Sequence, residues 1–136
     1  MTFFNNRSYI VYIAGARIVA STTKNEYKNK NYNKAFKILL NLANSGDARA
    51  QSDIAGMYFN GWGVEVDYKK AFQWYEKASK NGNTYAQYKL GDMYWNGFGV
   101  KVNTDTAQIW WKKAADNGYK DALSLIHISE PTRQEA

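Results

Sequence analysis

Cysteine is absent from this 136-residue chain. No disulfide framework, thiolate metal site or cysteine nucleophile can be assembled from it. Histidine occurs once, at His127, and proline once, at Pro131. That leaves few groups for general acid–base or nucleophilic chemistry, which needs a positioned His, Cys, Lys or paired carboxylate. No apolar run approaches the roughly 18–20 residues of a membrane span. Long runs of one charge are missing too. The 18 basic and 12 acidic residues are dispersed, giving a net charge of +6. What is present is 45% hydrophobic and 16% aromatic, which suits a folded domain and argues against disorder. The length suffices for one small domain.

An internal repeat organises the chain. Ala50-Gln51 returns as Ala86-Gln87, and Ala122 falls at the same spacing of 36. Met57-Tyr58 returns as Met93-Tyr94, and Asn60-Gly61-Trp62-Gly63-Val64 as Asn96-Gly97-Phe98-Gly99-Val100. Ala71, Trp74, Ala78 and Gly82 return as Ala107, Trp110, Ala114 and Gly118. Residues 50–85 and 86–121 share 15 identities in 36 positions without a gap. An earlier unit fits the frame through Ala35, Ala43 and Gly46 but is five residues shorter in the loop, since Tyr27 precedes Tyr58 by 31.

Each full unit reads as two helices. The first, near 48–58 and 84–94, puts Ala50, Ile54, Met57 and Tyr58 on one stripe at helical spacing. Asn60-Gly61 ends it, because both residues tolerate the positive φ of a helix terminus. The second starts near Asp67 or Asn103, both good N-cap residues, and runs through Ala71, Trp74, Tyr75 and Ala78. Its alanines let neighbouring helices approach while the aromatics fill the space between. Neither helix buries its apolar face alone, so stacked neighbours must complete the core. The expectation is an all-α fold, an α-solenoid of stacked antiparallel helix pairs forming a right-handed superhelix with first helices along its concave side.

The pattern Ala-Gln-x-x-Leu-Gly-x-Met-Tyr-x-Asn-Gly-x-Gly-Val followed by Ala-x-x-Trp-x-x-Lys-Ala-Ala-x-x-Gly is fullest at Ala86–Gly118, with Leu90 and Gly91 in place. It resembles the Sel1-like repeat, a relative of the tetratricopeptide repeat. The resemblance covers roughly Asn25–Ala122. Ile54-Ala55 stands in place of Leu-Gly, and Glu65 and Lys101 where the family often has proline. The resemblance implies a bacterial, non-catalytic adaptor for protein–protein interaction. The units are then residues 21–49, more similar to a tetratricopeptide unit, 50–85 and 86–122.

The two ends read differently. Residues 1–20 are either a secretory signal peptide, with Ala14-Gly15-Ala16 as a small-residue cleavage site, or the leader of a first helix over 9–28. An exported and a cytoplasmic location are equally compatible with this. Residues 123–136 resemble the in-frame translation of a sequencing adapter and read as a non-native tail, which would remove His127 and Pro131 from the native inventory.

Three candidate sites arise. Gly61-Trp62-Gly63 and Gly97-Phe98-Gly99 could suggest a phosphate cradle, but they follow helices and recur once per unit, so they read as helix–helix loops. Trp74, Tyr75, Trp110 and Trp111 sit beside small alanines and read as packing residues. A different set falls on the first-helix face expected to line the groove: Arg49, Ser52 and Phe59 in one unit, Tyr85, Tyr88, Asp92 and Trp95 in the next. Rigid aromatics with a few polar groups suit the recognition of a polypeptide. The expected partner is therefore a protein or peptide, with no catalytic residues, no cofactor or metal and a monomeric chain. The groove is scarcely basic, so nucleic acid is not expected. An exported cell-wall or β-lactam-associated binding protein or enzyme is the alternative, because aromatic grooves also stack on sugars.

Overall fold

The computed structural model describes residues 10–13, 16–19 and 32–126. Two short strands, β1 (Ile10–Ile13) and β2 (Ala16–Val19), pair antiparallel with Ile10 opposite Val19 and Ile13 opposite Ala16. Residues 10–13 and 16–19 of the stretch considered for a helical leader are therefore paired strands. The β-branched residues Ile10, Val11, Ile13, Ile18 and Val19 favour that outcome. The cleavage-site reading falls mostly, and the tail beyond Ile126 wholly, outside the described residues.

Five helices of 13 residues follow: α1 (Tyr32–Asn44), α2 (Ala48–Asn60), α3 (Tyr68–Lys80), α4 (Thr84–Asn96) and α5 (Thr104–Asp116). A 3-10 turn over Lys120–Ala122 leads into a short α6 (Leu123–Ile126). Each helix packs against its neighbour in sequence, so residues 32–126 form an all-α repeat solenoid.

The helix ends are written locally. Asp67 accepts a hydrogen bond from the Lys70 N–H, and Asn103 from the Thr106 N–H, each at 3.0 Å. Asp47 and Asn83 do the same for α2 and α4, from Ala50 and Ala86, at 2.8 Å. Such a cap stabilises by about 1 kcal/mol. Tyr119 occupies the third of these positions and supplies no capping side chain. Gly61 and Gly97 close α2 and α4 at φ 72° and 77°.

The glycine loops have a packing task as well. A Cβ on Gly63 would lie 2.8 Å from the Tyr32 carbonyl carbon, and one on Gly99 would meet the Tyr68 backbone. Each loop thus rests on the first residue of the preceding unit's second helix. The ring beside it follows suit. Trp62 stacks on Tyr32 at 5.3 Å, and Phe98 meets Tyr68 at 4.8 Å.

Three buried clusters follow one another along the array. Ala50, Ile54 and Met57 are buried against Tyr32, Ala35 and Leu39 of α1. Ala71, Tyr75 and Ala78 meet Ala86, Leu90 and Met93. Ala107, Trp111 and Ala114 pack with Ala122. Two edge-to-face pairs, Phe36 with Tyr58 and Phe72 with Tyr94, tie each second helix to the next unit's first helix. A polar link accompanies them. Gln51 accepts from Asn81 Nδ2 at 2.9 Å and donates to the Ala43 carbonyl at 3.0 Å, while Gln87 accepts from Asn117 Nδ2 at 3.0 Å.

Candidate partner-binding face

Helix α4 positions most of the candidate residues. Its buried stripe of Ala86, Leu90, Gly91 and Met93 anchors it, and its other side carries Tyr85, Tyr88 and Asp92. Tyr85 is 42% exposed. It lies 6.0 Å from Tyr88 and 5.8 Å from Tyr119, and Tyr88 lies 4.8 Å from Tyr119. Tyr75 of α3 reaches the edge of this row at 6.4 Å from Tyr85.

Two carboxylates border the tyrosines. Asp92 Oδ1 accepts from the Trp111 indole N–H at 3.2 Å, and its Oδ2 lies 3.8 Å from the Lys89 ammonium. Burial raises the Asp92 pKa, while Lys89 and the Trp111 bond oppose the rise. Asp53 of α2 makes no hydrogen bond or ion pair among the described residues. Burial pushes its pKa up to about 6, with Arg49 opposing and Asp47 reinforcing the shift. The same two carboxylates act on the phenols. Burial first, then Tyr119, Asp92 and Asp53, raises the Tyr85 hydroxyl, and burial followed by Asp92 brings Tyr88 up to about 12. The phenols therefore stay neutral hydrogen-bonding groups across the physiological range.

Three of the seven residues expected to face a partner come together here: Tyr85, Tyr88 and Asp92. Arg49 is exposed beside Asp53. Phe59 belongs to another cluster, between Tyr68 and Phe98 at 5.1 and 5.3 Å, with Lys89 over its ring at 4.3 Å. Trp95 leans on Trp111 at 5.3 Å and is half-buried. Ser52 is a correction. It is only 6% exposed, so it faces the core and is out of a partner's reach. Helical spacing places position 52 near the boundary of the apolar stripe, and packing moved the boundary past it. Sequence reasoning missed Asp53, Lys89 and Tyr119 as members of the face. For Tyr119 a signal existed: it breaks the Asp47/Asn83 capping pattern at the repeat period.

Among the packing aromatics, Tyr75 and Trp111 are buried and Trp74 and Trp110 half-buried. The latter two carry Lys77 and Lys113 ammonium groups over their rings, at 4.3 and 5.0 Å. Among the described residues, no group of histidine, cysteine or carboxylate side chains could hold a metal ion, and no helix is long and apolar enough to cross a membrane.

A family profile described as the Sel1 repeat matches residues 27–47, 48–83 and 84–119. The chain belongs to the Sel1 repeat family. Its helix pairs coincide with the second and third matched repeats, each repeat ending on the N-cap residue of the next helix, Asn83 or Tyr119. Solved Sel1 structures resemble it closely. A Sel1 repeat protein from Oxalobacter formigenes is 35% identical, with a TM-score of 0.67, and the match covers 76% of this chain and 77% of that one. The protective antigen c5321 of uropathogenic Escherichia coli, which displays an SLR fold, is 29% identical at a TM-score of 0.66. That match covers 73% of this chain and 21% of the antigen. Helicobacter pylori cysteine rich protein B is 28% identical at 0.64, over 68% of this chain and 69% of its own. A search of curated proteins gives no match. Sel1 repeats typically mediate protein–protein interaction and are generally non-catalytic scaffolds.

Proposed function

We propose that this Sel1 repeat chain is a scaffold that binds a partner polypeptide on the side of α2 and α4 carrying Tyr85, Tyr88, Asp92 and Arg49. The observation that supports it is the tyrosine row. Three rings gather at one place: Tyr85 is substantially exposed, while Tyr88 and Tyr119 are held in position by packing on the third buried cluster. Aromatic groups of this kind give large contact area at low conformational cost and dominate interface energetics.

The test compares the wild-type chain with Tyr85→Ala/Tyr88→Ala and with Ile109→Ala as a control. Ile109 is 65% exposed on α5 and lies outside the tyrosine row. Partner proteins retained on the immobilised chain should be lost with the tyrosine pair and kept with Ile109→Ala. Equal retention by all three, at unchanged helicity, would remove the face from the assignment.

A further inference from the structure

The lysines of this chain already show what its aromatic rings accept. Lys70 lies over Tyr58 at 5.4 Å, Lys77 over Trp74, Lys89 over Phe59, and Lys113 over Trp110. Cations are drawn to ring faces by the ring quadrupole. Tyr85, Tyr88 and Tyr119 differ. Among the described residues no cation stands over any of them, yet carboxylates act on all three. Asp53 and Asp92 bear on Tyr85, and Asp92 and Asp121 on Tyr88 and Tyr119. Lys89 is committed to Phe59 and Asp92. Arg49 acts on Asp53 through its charge and forms no ion pair with it among the described residues. A negative, ring-lined surface on a chain of net charge +6 is complementary to a cation that the chain itself does not provide.

Building on the partner-binding reading above, we infer that the tyrosine row beside Asp92 receives a basic side chain, lysine or arginine, of the partner polypeptide. The alkyl stem would lie along Tyr85 and Tyr88, and the charged head would reach Asp53. Lys89 is an internal precedent, since its ammonium lies 4.3 Å from a ring centroid and 3.8 Å from a carboxylate oxygen.

The experiment is selection of a random octapeptide phage library on the full chain, with Tyr85→Ala/Tyr88→Ala in parallel. Peptides retained through the tyrosines should be enriched in lysine and arginine about fivefold over the input library, the scale of one good cation–aromatic contact. Asp53→Asn/Asp92→Asn should abolish that enrichment. Asparagine at 92 still offers an oxygen to the Trp111 indole. A second measurement needs no protein variant: selected peptides resynthesised with citrulline for arginine and norleucine for lysine should bind several-fold more weakly. Neutral replacements that bind equally would overturn the inference. Apolar or acidic peptides retained through the tyrosines would also overturn it but leave the polypeptide-binding reading standing. If no peptide depends on the tyrosines, both fall.

Discussion

Gly91 and Trp111 fit together because one lacks what the other occupies. A Cβ at position 91 would overlap the indole, with Cγ at 2.9 Å. One period earlier the pair is Ala55 and Tyr75, where a Cβ stands beside the smaller ring, and a Cβ on the neighbouring Gly56 would make only ordinary contact with the Tyr75 hydroxyl at 3.6 Å. Gly91→Ala is expected to destabilise the fold by about 2–3 kcal/mol through overpacking. Trp111→Tyr in the same chain should recover part of the loss, because it recreates the neighbouring unit's pair. Denaturant unfolding of the two single variants and the double variant checks this, and additive losses would refute it.

Asn81→Ala and Asn117→Ala should each cost about 1–2 kcal/mol, since each leaves a buried glutamine oxygen without its donor. Because the two links are equivalent bonds within successive units, the losses should be similar. In a double-mutant cycle, Gln51→Ala combined with Asn81→Ala should fall well short of the summed single losses.

Glycines with positive φ divide into two groups. Gly82 and Gly118 have open space where a Cβ would go, so replacement by alanine should cost about 1–2 kcal/mol, the backbone term alone. Gly63 and Gly99 also abut the Tyr32 and Tyr68 backbones. Alanine there should cost clearly more, and thermal unfolding of the four variants will rank them.

The raised pKa of Asp53 has a definite sign. The fold favours its protonated form, so the stabilising proton is fully present below the unfolded carboxylate pKa of about 3.9 and is lost as pH rises through about 6. The decline across that window should be on the order of 3 kcal/mol. Asp92 is raised as well and adds to the slope in the same direction. Asp53→Asn should flatten most of the decline and make the chain more stable at pH 7. Urea unfolding at pH 4.5 and 7.0 measures both effects, and an unchanged slope would contradict the burial of this carboxyl.

The repeat period, the helix ends and the family were legible before any coordinates. These features are local or periodic. An Asp or Asn at an N-cap acts on an N–H three residues away, a glycine acts through its own φ, and a 36-residue echo needs no neighbour to be seen. The outcomes at Ser52, Phe59 and Tyr119 were not of this kind. Helical spacing says which residues share a side of α2 or α4. It does not say how far α1, α3 and α5 spread over that side. Ser52 disappeared under that cover, Phe59 was drawn to Phe98 across a gap of 39 positions, and Tyr119 joined Tyr85 and Tyr88 from the following loop. That the chain is a stack of repeated helix pairs, the first unit shorter than the rest, follows from such local signals alone. Only the tertiary structure decided which rings meet which carboxylates, because those distances are set by packing between units rather than by the chain within one.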